Sequence, residues 1–396
     1  MNFNPFSISQ LPKIEFGAGS INKVPSIAAS FGKRALLVTG GRSFVNSDHW
    51  EKLQKDLKAQ GITWESLKVS GEPSPGLVDE VVSNLRGMDF DVVIGIGGGS
   101  VMDGAKAIAG LLKPGNSVMD YLEGVGPELP YAGPATPFIA VPTTAGTGSE
   151  ATKNAVLSLQ GKKGFKKSFR HETLVPRYAV VDPDLLATCP PELIAANGMD
   201  ALTQLLESYV STKANPFTDA LAMSGLTAAR DSLLHWYDGV GDVGDARAKM
   251  AYAALLSGIT LAQVGLGSVH GLASPLGAFF PIPHGVVCGT LVAEATRVNI
   301  ETMESRDAEN PALVKYSKAG RLFRGKAHLD DAGARVVLVH TLAEWTEHMK
   351  LPRLASYGVA ESELDHVVTH CRGSSMKTNP IVLTDAEVRT ILQRRL

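Results

Sequence analysis

Between Lys33 and Val181, short apolar runs alternate with segments of helical period. ALLVTG (35–40) is a continuous apolar run ending in glycine, the pattern of a strand buried on both faces. HWEKLQKDLKAQG (49–61) has helical spacing and a glycine stop. ITWESLKV (62–69) predicts a second strand, and PGLVDEVVSNLRGM (75–88) a helix. DVVIGIGGGS (91–100) is an apolar strand running into glycines, and VMDGAKAIAGLL (101–112) a further helix. PFIAVPTT (137–144) and YAVVDP (178–183) add strands. Such alternation predicts a parallel sheet covered on both faces. After about Pro190 the strands stop. PELIAANGMDALTQLLESYVS, FTDALAMSGLTAARDSLLHWY and ARAKMAYAALLSGITLAQ are apolar-periodic helices, and the remainder to Leu396 reads the same way. Pro190 and Pro191 mark the change. The expectation is an α/β domain over 1–188 followed by an all-helical domain over 189–396.

One stretch breaks the ordinary helical pattern. From Ala251 to Ala293 there is no Asp, Glu, Lys or Arg. A run this long belongs in a membrane or a protein core. Gly258, Gly265, Gly267, Gly271, Pro275, Gly277, Pro281 and Pro283 punctuate it, and no basic cluster flanks it. Two buried core helices joined by a turn near Pro281 to Gly285 are therefore expected, and no membrane span.

Composition changes this picture little. With 44% apolar and 20% charged residues, the 396-residue chain can bury a substantial core. A net charge of −2 argues against a nucleic-acid partner. Cys189, Cys288 and Cys371 lack CxxC spacing, which predicts buried thiols in a reducing, cytoplasmic compartment. The N-terminus has no basic-then-apolar signal pattern.

Three glycine- and hydroxyl-rich segments follow predicted strands. Gly97, Gly98, Gly99 and Ser100 lie where a strand meets a helix, so backbone N–H groups and the helix N-terminus are aimed at a phosphate. Thr143, Thr144 and Ser149 lie in PTTAGTGSE (142–150), at the strand end where open α/β sheets bind ligands. Gly40, Gly41, Arg42 and Ser43 follow the first strand. That loop offers an arginine and no acid, which leans towards NADP over NAD. In the helical half, Asp200 and Gln204 share one helix face, and His270 and His284 lie in the uncharged run. A carboxylate and two imidazoles suit a divalent metal such as Fe(II) or Zn(II).

These segments resemble the iron-containing (group III) alcohol dehydrogenases over nearly the whole chain. The carrying motifs are GGGSVMDGAKAIA (97–109), PTTAGTGSE (142–150), NGMDALTQLLESYVS (197–211), HGLASPLGAFFPIPHG (270–285) and SSMKTNPIVLTDAEV (374–388). The resemblance implies a Rossmann-like dinucleotide-binding domain and a dehydroquinate synthase-like helical domain, in a homodimer formed through the N-terminal strand. It implies NAD or NADP, a divalent metal, and an alcohol or aldehyde substrate. By motif, Gly97, Gly98 and Ser100 meet the pyrophosphate with Asp103 close by. Thr143, Thr144 and Ser149 line the cofactor side, and Lys162 falls near the nicotinamide ribose. Asp200, His270 and His284 match three of the four usual metal ligands.

The chain departs from that family at two positions. Gln204 stands where the fourth ligand is usually histidine, so it is expected either to ligate or to orient a ligand. Ser274 replaces a second histidine implicated in proton relay, and proton exit is expected through Ser274, the ribose hydroxyls or water. The expected reaction is reversible hydride transfer between nicotinamide C4 and a small primary or secondary alcohol. Three alternatives stand beside it: a hydroxyacid or sugar-acid alcohol substrate met by Lys166, Lys167, Arg170 and His171; an NAD/zinc lyase of dehydroquinate synthase type; and a degenerate, non-catalytic binder.

Overall fold

The computed structural model describes residues 5–325 and 328–396. The chain divides into two units. A sheet unit comprises Ser9–Leu159 and Lys166–Cys189. A helical unit comprises Pro190–Leu396, the segment Gln160–Phe165 and the described residues up to Ile8.

The sheet unit runs β1 (Lys13–Phe16), α1 (Val24–Ala29), β2 (Arg34–Thr39), α2 (Asp48–Ala59), β3 (Thr63–Lys68), α3 (Pro75–Asn84), β4 (Val92–Gly97), α4 (Gly99–Leu111) and β5 (Phe138–Pro142). A two-stranded ribbon, β6 (Asn154–Leu159) with β7 (Phe165–Arg170), precedes β8 (Tyr178–Val181). The six-stranded sheet has the order β1-β8-β5-β4-β2-β3, and every pairing is parallel. β4 and β5 are buried along their whole lengths, as their apolar runs require. β3 and β1 lie at the edges with largely exposed side chains. From β2 the chain moves outward to β3, whereas from β4 it moves to β5 on the other side. The topological switch point, where such sheets take ligands, therefore lies between the C-terminal ends of β2 and β4. Asp182, fully buried after β8, accepts the backbone N–H groups of Gly19, Ile21 and Asp184.

The helical unit contains α5 (Pro191–Val210), α6 (Pro216–Asp238), α7 (Val243–Val264), α8 (Ser268–Phe279), α9 (His284–Arg306), α10 (Pro311–Arg324), α11 (Asp331–His348), α12 (Leu364–His370) and α13 (Asp385–Arg394). Local signals set several ends. Asn215 forms a capping box at α6, and Gly239 closes that helix in the left-handed region.

The α/β-then-α order is the expected one, but three details differ. β1 and the β6–β7 ribbon were not legible as strands. The uncharged run also folds as three helical segments, not two. It includes the end of α7, all of α8 and the start of α9. The turn expected near Pro281 is present between α8 and α9. A second break, at Gly265–Gly267, bends α7 from α8 by 99°. Gly265 takes φ +72°, and a Cβ there would lie 2.7 Å from Thr378 Oγ1. Thr378 Oγ1 donates to Leu266 O at 2.6 Å, which fixes the corner. No single helix among the described residues is long and apolar enough to cross a membrane; α7 and α8 reach that measure only as this bent pair.

Glycines also set how closely α9 approaches α5. A Cβ on Gly285 would lie 2.4 Å from Ala196 O, and one on Gly289 2.8 Å from Met199 Cβ. The two helices are therefore nearly in backbone contact. Alanine at Gly285 gains helix propensity worth at most about 1 kcal/mol. The overlap with Ala196 should outweigh that, so Gly285→Ala is expected to destabilise the protein by about 1–3 kcal/mol. Urea unfolding is the measurement, and an unchanged midpoint would show that α9 can move off α5 without cost.

Candidate functional site

α5 carries Asp200, Gln204 and Glu207 at i, i+4 and i+7, one face of the helix. All three are buried; Asp200 has 0% exposure. α8 brings His270 to this face, and α9 brings His284 and Cys288, themselves i and i+4. One ligand atom from each of Asp200, His270, His284 and Cys288 lies within 4.8 Å of the others. His270 Nε2 is 3.2 Å and His284 Nε2 3.7 Å from Asp200 Oδ1. Cys288 Sγ lies 3.5 Å from His270 Nε2 and 3.8 Å from His284 Nε2.

The surrounding hydrogen bonds orient these groups. His270 Nδ1 lies 2.6 Å from Glu207 Oε2, while Glu207 Oε1 accepts the Val269 N–H at 2.7 Å. The Glu207 contact at Nδ1 orients the His270 ring so that Nε2 faces Asp200, the carboxylate–histidine arrangement of metal sites. Gln204 Nε2 donates to Asp200 Oδ1 at 3.3 Å, and Gln204 Oε1 accepts from Ser257 Oγ at 2.9 Å. In this arrangement the glutamine holds the carboxylate. Ser274 sits half-buried one turn beyond His270 on α8.

The electrostatics point to a cation. Burial disfavours ionised Asp200, but the two histidines outweigh it and hold the carboxyl below its ordinary value. Burial also disfavours charged His270, yet the charges of Cys288 and Glu207 raise it well above the ordinary imidazole value. Burial pushes the Cys288 thiol up to about 12. Asp200 Oδ2 is buried and has no hydrogen-bond partner among the described residues. Two imidazole nitrogens, a sulfur and a carboxylate with an unsatisfied oxygen converge on one point. These residues fit a divalent transition metal. The His284 side chain is 26% exposed against 1% for Asp200, so the site opens to solvent on the His284 side.

The sheet unit holds a second constellation. Gly98, Gly99 and Ser100 are half-buried at the N-terminus of α4, and Gly40 lies half-buried beyond β2, with Gly41 and Ser43 exposed. The two loops flank the switch point and share Val101: a Cβ on Gly97 would lie 2.5 Å from Val101 Cγ2, and one on Gly40 3.4 Å. Thr143 and Thr144 are half-buried beside them, and the Thr143 N–H donates to Gly97 O at 2.9 Å. Asp103 and Ser149 lie deeper and bond to each other at 2.6 Å. Behind them, fully buried Lys106 donates to Ser149 O, Ser149 Oγ, Thr152 Oγ1 and Asn154 O. Burial lowers Lys106 to about 8 and raises neighbouring Glu150 to about 7. Lys162 is exposed in the turn joining β6 to β7.

The sequence reading missed Cys288, Glu207 and Lys106. Each left a signal: Cys288 is four residues from His284, Glu207 seven from Asp200, and Lys106 is a lone cation in an apolar helix. The basic cluster behind the hydroxyacid alternative is largely neutralised. Lys166 pairs with Glu72, Arg170 with Glu123 at 3.1 Å, and His171 caps the Thr173 N–H.

Residues 12–183 match the family model for iron-containing alcohol dehydrogenases, and residues 194–396 match that family's C-terminal model. Alcohol dehydrogenase 4 of Saccharomyces cerevisiae is 32% identical, over 97% of each chain. The NADPH-dependent butanol dehydrogenase of Clostridium saccharobutylicum is also 32% identical, over 97% of this chain and 96% of its own. An iron-containing alcohol dehydrogenase from Thermotoga maritima has a solved structure that superposes with a TM-score of 0.83, at 30% identity and 99% coverage of both chains.

Glu207 touches the site through His270 and the Val269 amide. Glu207→Gln is therefore expected to weaken metal retention by roughly 10–100-fold, the usual effect of losing such a partner. Chelator competition followed by metal analysis measures this. Retention equal to the parent protein would show that Glu207 does not orient His270.

Proposed function

This chain belongs to the iron-containing alcohol dehydrogenase family, and on that premise we propose that it interconverts a small primary or secondary alcohol and its carbonyl compound. The family works with NAD(P) and a divalent metal. The observation that carries the proposal is the convergence of ligand atoms from Asp200, His270 and His284, beside an Asp200 Oδ2 that is buried without a hydrogen-bond partner among the described residues.

A divalent cation held by these donors lowers the pKa of an alcohol oxygen, or polarises a carbonyl in the reverse direction. A nicotinamide dinucleotide supplies the electron acceptor or donor. The residues of this chain do the positioning. Glu207 orients the His270 ring, and Gln204, itself held by Ser257, fixes the Asp200 carboxylate. Ser274, half-buried and one turn from His270, is the side chain assigned to pass the alcohol proton towards solvent. The uncharged stretch shared by α7, α8 and α9 keeps Asp200, His270 and Cys288 buried from bulk water, which strengthens the charge interactions among them.

In the sheet unit, the backbone amides of Gly98 and Ser100 at the start of α4, with Gly97 ending β4 beside them, receive the pyrophosphate charge. Thr143 and Thr144 supply hydroxyls at the same rim. Asp103 and Ser149 act from behind by bonding the 143–149 loop to α4. Gly40, Gly41 and Ser43 serve the adenosine end. NADP is the preferred coenzyme in this reading, because Arg42 is exposed in a loop without an acid to repel a 2′-phosphate.

Two outcomes are expected. Asp200→Ala and His270→Ala lose bound metal and alcohol oxidation together; full turnover by a metal-free variant would overturn the metal role. Across a panel of small alcohols and aldehydes, kcat/KM is higher with NADP(H) than with NAD(H), and Arg42→Asp reverses that preference. A parent enzyme that favours NAD removes the NADP assignment while leaving the dehydrogenase reading intact.

A further inference from the structure

We propose that the Cys288 thiolate is a metal ligand in this protein, completing an Asp200–His270–His284–Cys288 donor set that suits Zn(II). The inference rests on the metal-dependent reading above and extends it to a residue outside the expected ligand set.

The first argument is geometric. A tetrahedral zinc with ordinary bond lengths separates two nitrogen or oxygen ligands by about 3.3 Å, and a nitrogen from a sulfur by about 3.6 Å. The spacings here are 3.2 and 3.7 Å from the imidazoles to Asp200, and 3.5 and 3.8 Å from Cys288 Sγ to the imidazoles. These four edges of the polyhedron thus lie close to the ideal lengths, the longest departure being the 3.7 Å from His284 to Asp200. The second argument is chemical. A single S–H hydrogen can serve only one of the two imidazole nitrogens facing the sulfur. Four potential ligand atoms face one point while Asp200 Oδ2 is buried without a hydrogen-bond partner among the described residues, an arrangement that a shared cation satisfies. The third is the placement of Gln204. Its Nε2 faces Asp200 and its carbonyl is engaged by Ser257, so the position that carries a ligating histidine in relatives serves here to hold Asp200. Cys288 supplies the missing fourth donor from α9, one turn after His284. A thiolate in place of an imidazole softens the set and moves its preference towards zinc. The exposed His284 side leaves the site open to substrate.

The test is X-ray absorption at the zinc edge on full-length protein loaded with Zn(II), in the parent and in Cys288→Ser. The parent is expected to give one sulfur neighbour at about 2.3 Å beside nitrogen and oxygen neighbours at about 2.0–2.1 Å. Cys288→Ser is expected to keep the light-atom shell and lose the sulfur. Its affinity against a chelator should fall by at least the roughly tenfold that loss of an outer partner produces. A parent with nitrogen and oxygen neighbours only, or a sulfur shell that survives in Cys288→Ser, overturns the Cys288 assignment alone. A parent that retains no zinc overturns this inference and the metal-dependent function together.

Discussion

Two carboxylates buried on one face of α5 set the terms for the helical unit. Asp200 and Glu207 lie two turns apart, and desolvating each is costly unless opposite charge answers it. Glu207 is answered by His270 and a backbone amide. Asp200 is answered by the edges of two imidazoles, a glutamine amide and, in the proposed state, a cation. Everything that brings α8 and α9 to α5 serves this compensation. The uncharged composition of α8 is part of it, since a competing lysine or arginine there would neutralise the carboxylates directly and close the site to metal.

The means of approach recurs along the chain. His270, His284 and Cys288 are each followed by glycine. Neighbouring helical residues point about 100° apart, so a donor facing the site leaves the next position facing a packed neighbour. Gly271 meets Met376 and the Cys371 carbonyl, Gly285 meets Ala196, and Gly289 meets Met199 and Leu351. The donors converge because the residues beside them have no side chain. The sheet unit solves its buried-charge problem differently, with a covalent cation. Lys106 stands among Asp103, Glu150 and the ends of the 143–154 segment, and needs no added ion.

Much of this was legible in the sequence, for identifiable reasons. β2, β4, β5 and β8 were readable because buried parallel strands are continuous apolar runs. β1 and the β6–β7 ribbon were not: KIEF is only four residues long, and FKKSFR, the strand that NAVLSL pairs with, mixes apolar and charged residues without a regular period. The α7–α8 corner was hidden because it lies inside a uniform apolar run, and its cause, Thr378, is remote in sequence. Asp200, Gln204, His270 and His284 were named from residue type and spacing. Cys288 was read only as a thiol in a cysteine census, although its spacing from His284 repeats that of Gln204 from Asp200. The basic residues Lys166 and Arg170 looked available because Glu72 and Glu123, which neutralise them, lie far back in the chain.

The four hydrogen bonds of Lys106 also bear on how coenzyme binding is driven. They tether Ser149, Thr152 and Asn154 to the middle of α4, while the Thr143 amide is tied to the end of β4. The hydroxyl-bearing loop is thus held at both ends before any dinucleotide arrives. Little conformational entropy remains to be lost there on association, so more of the contact free energy appears as affinity. Enthalpy and direct electrostatics, more than loop ordering, should then dominate the thermodynamic signature of coenzyme binding to this unit.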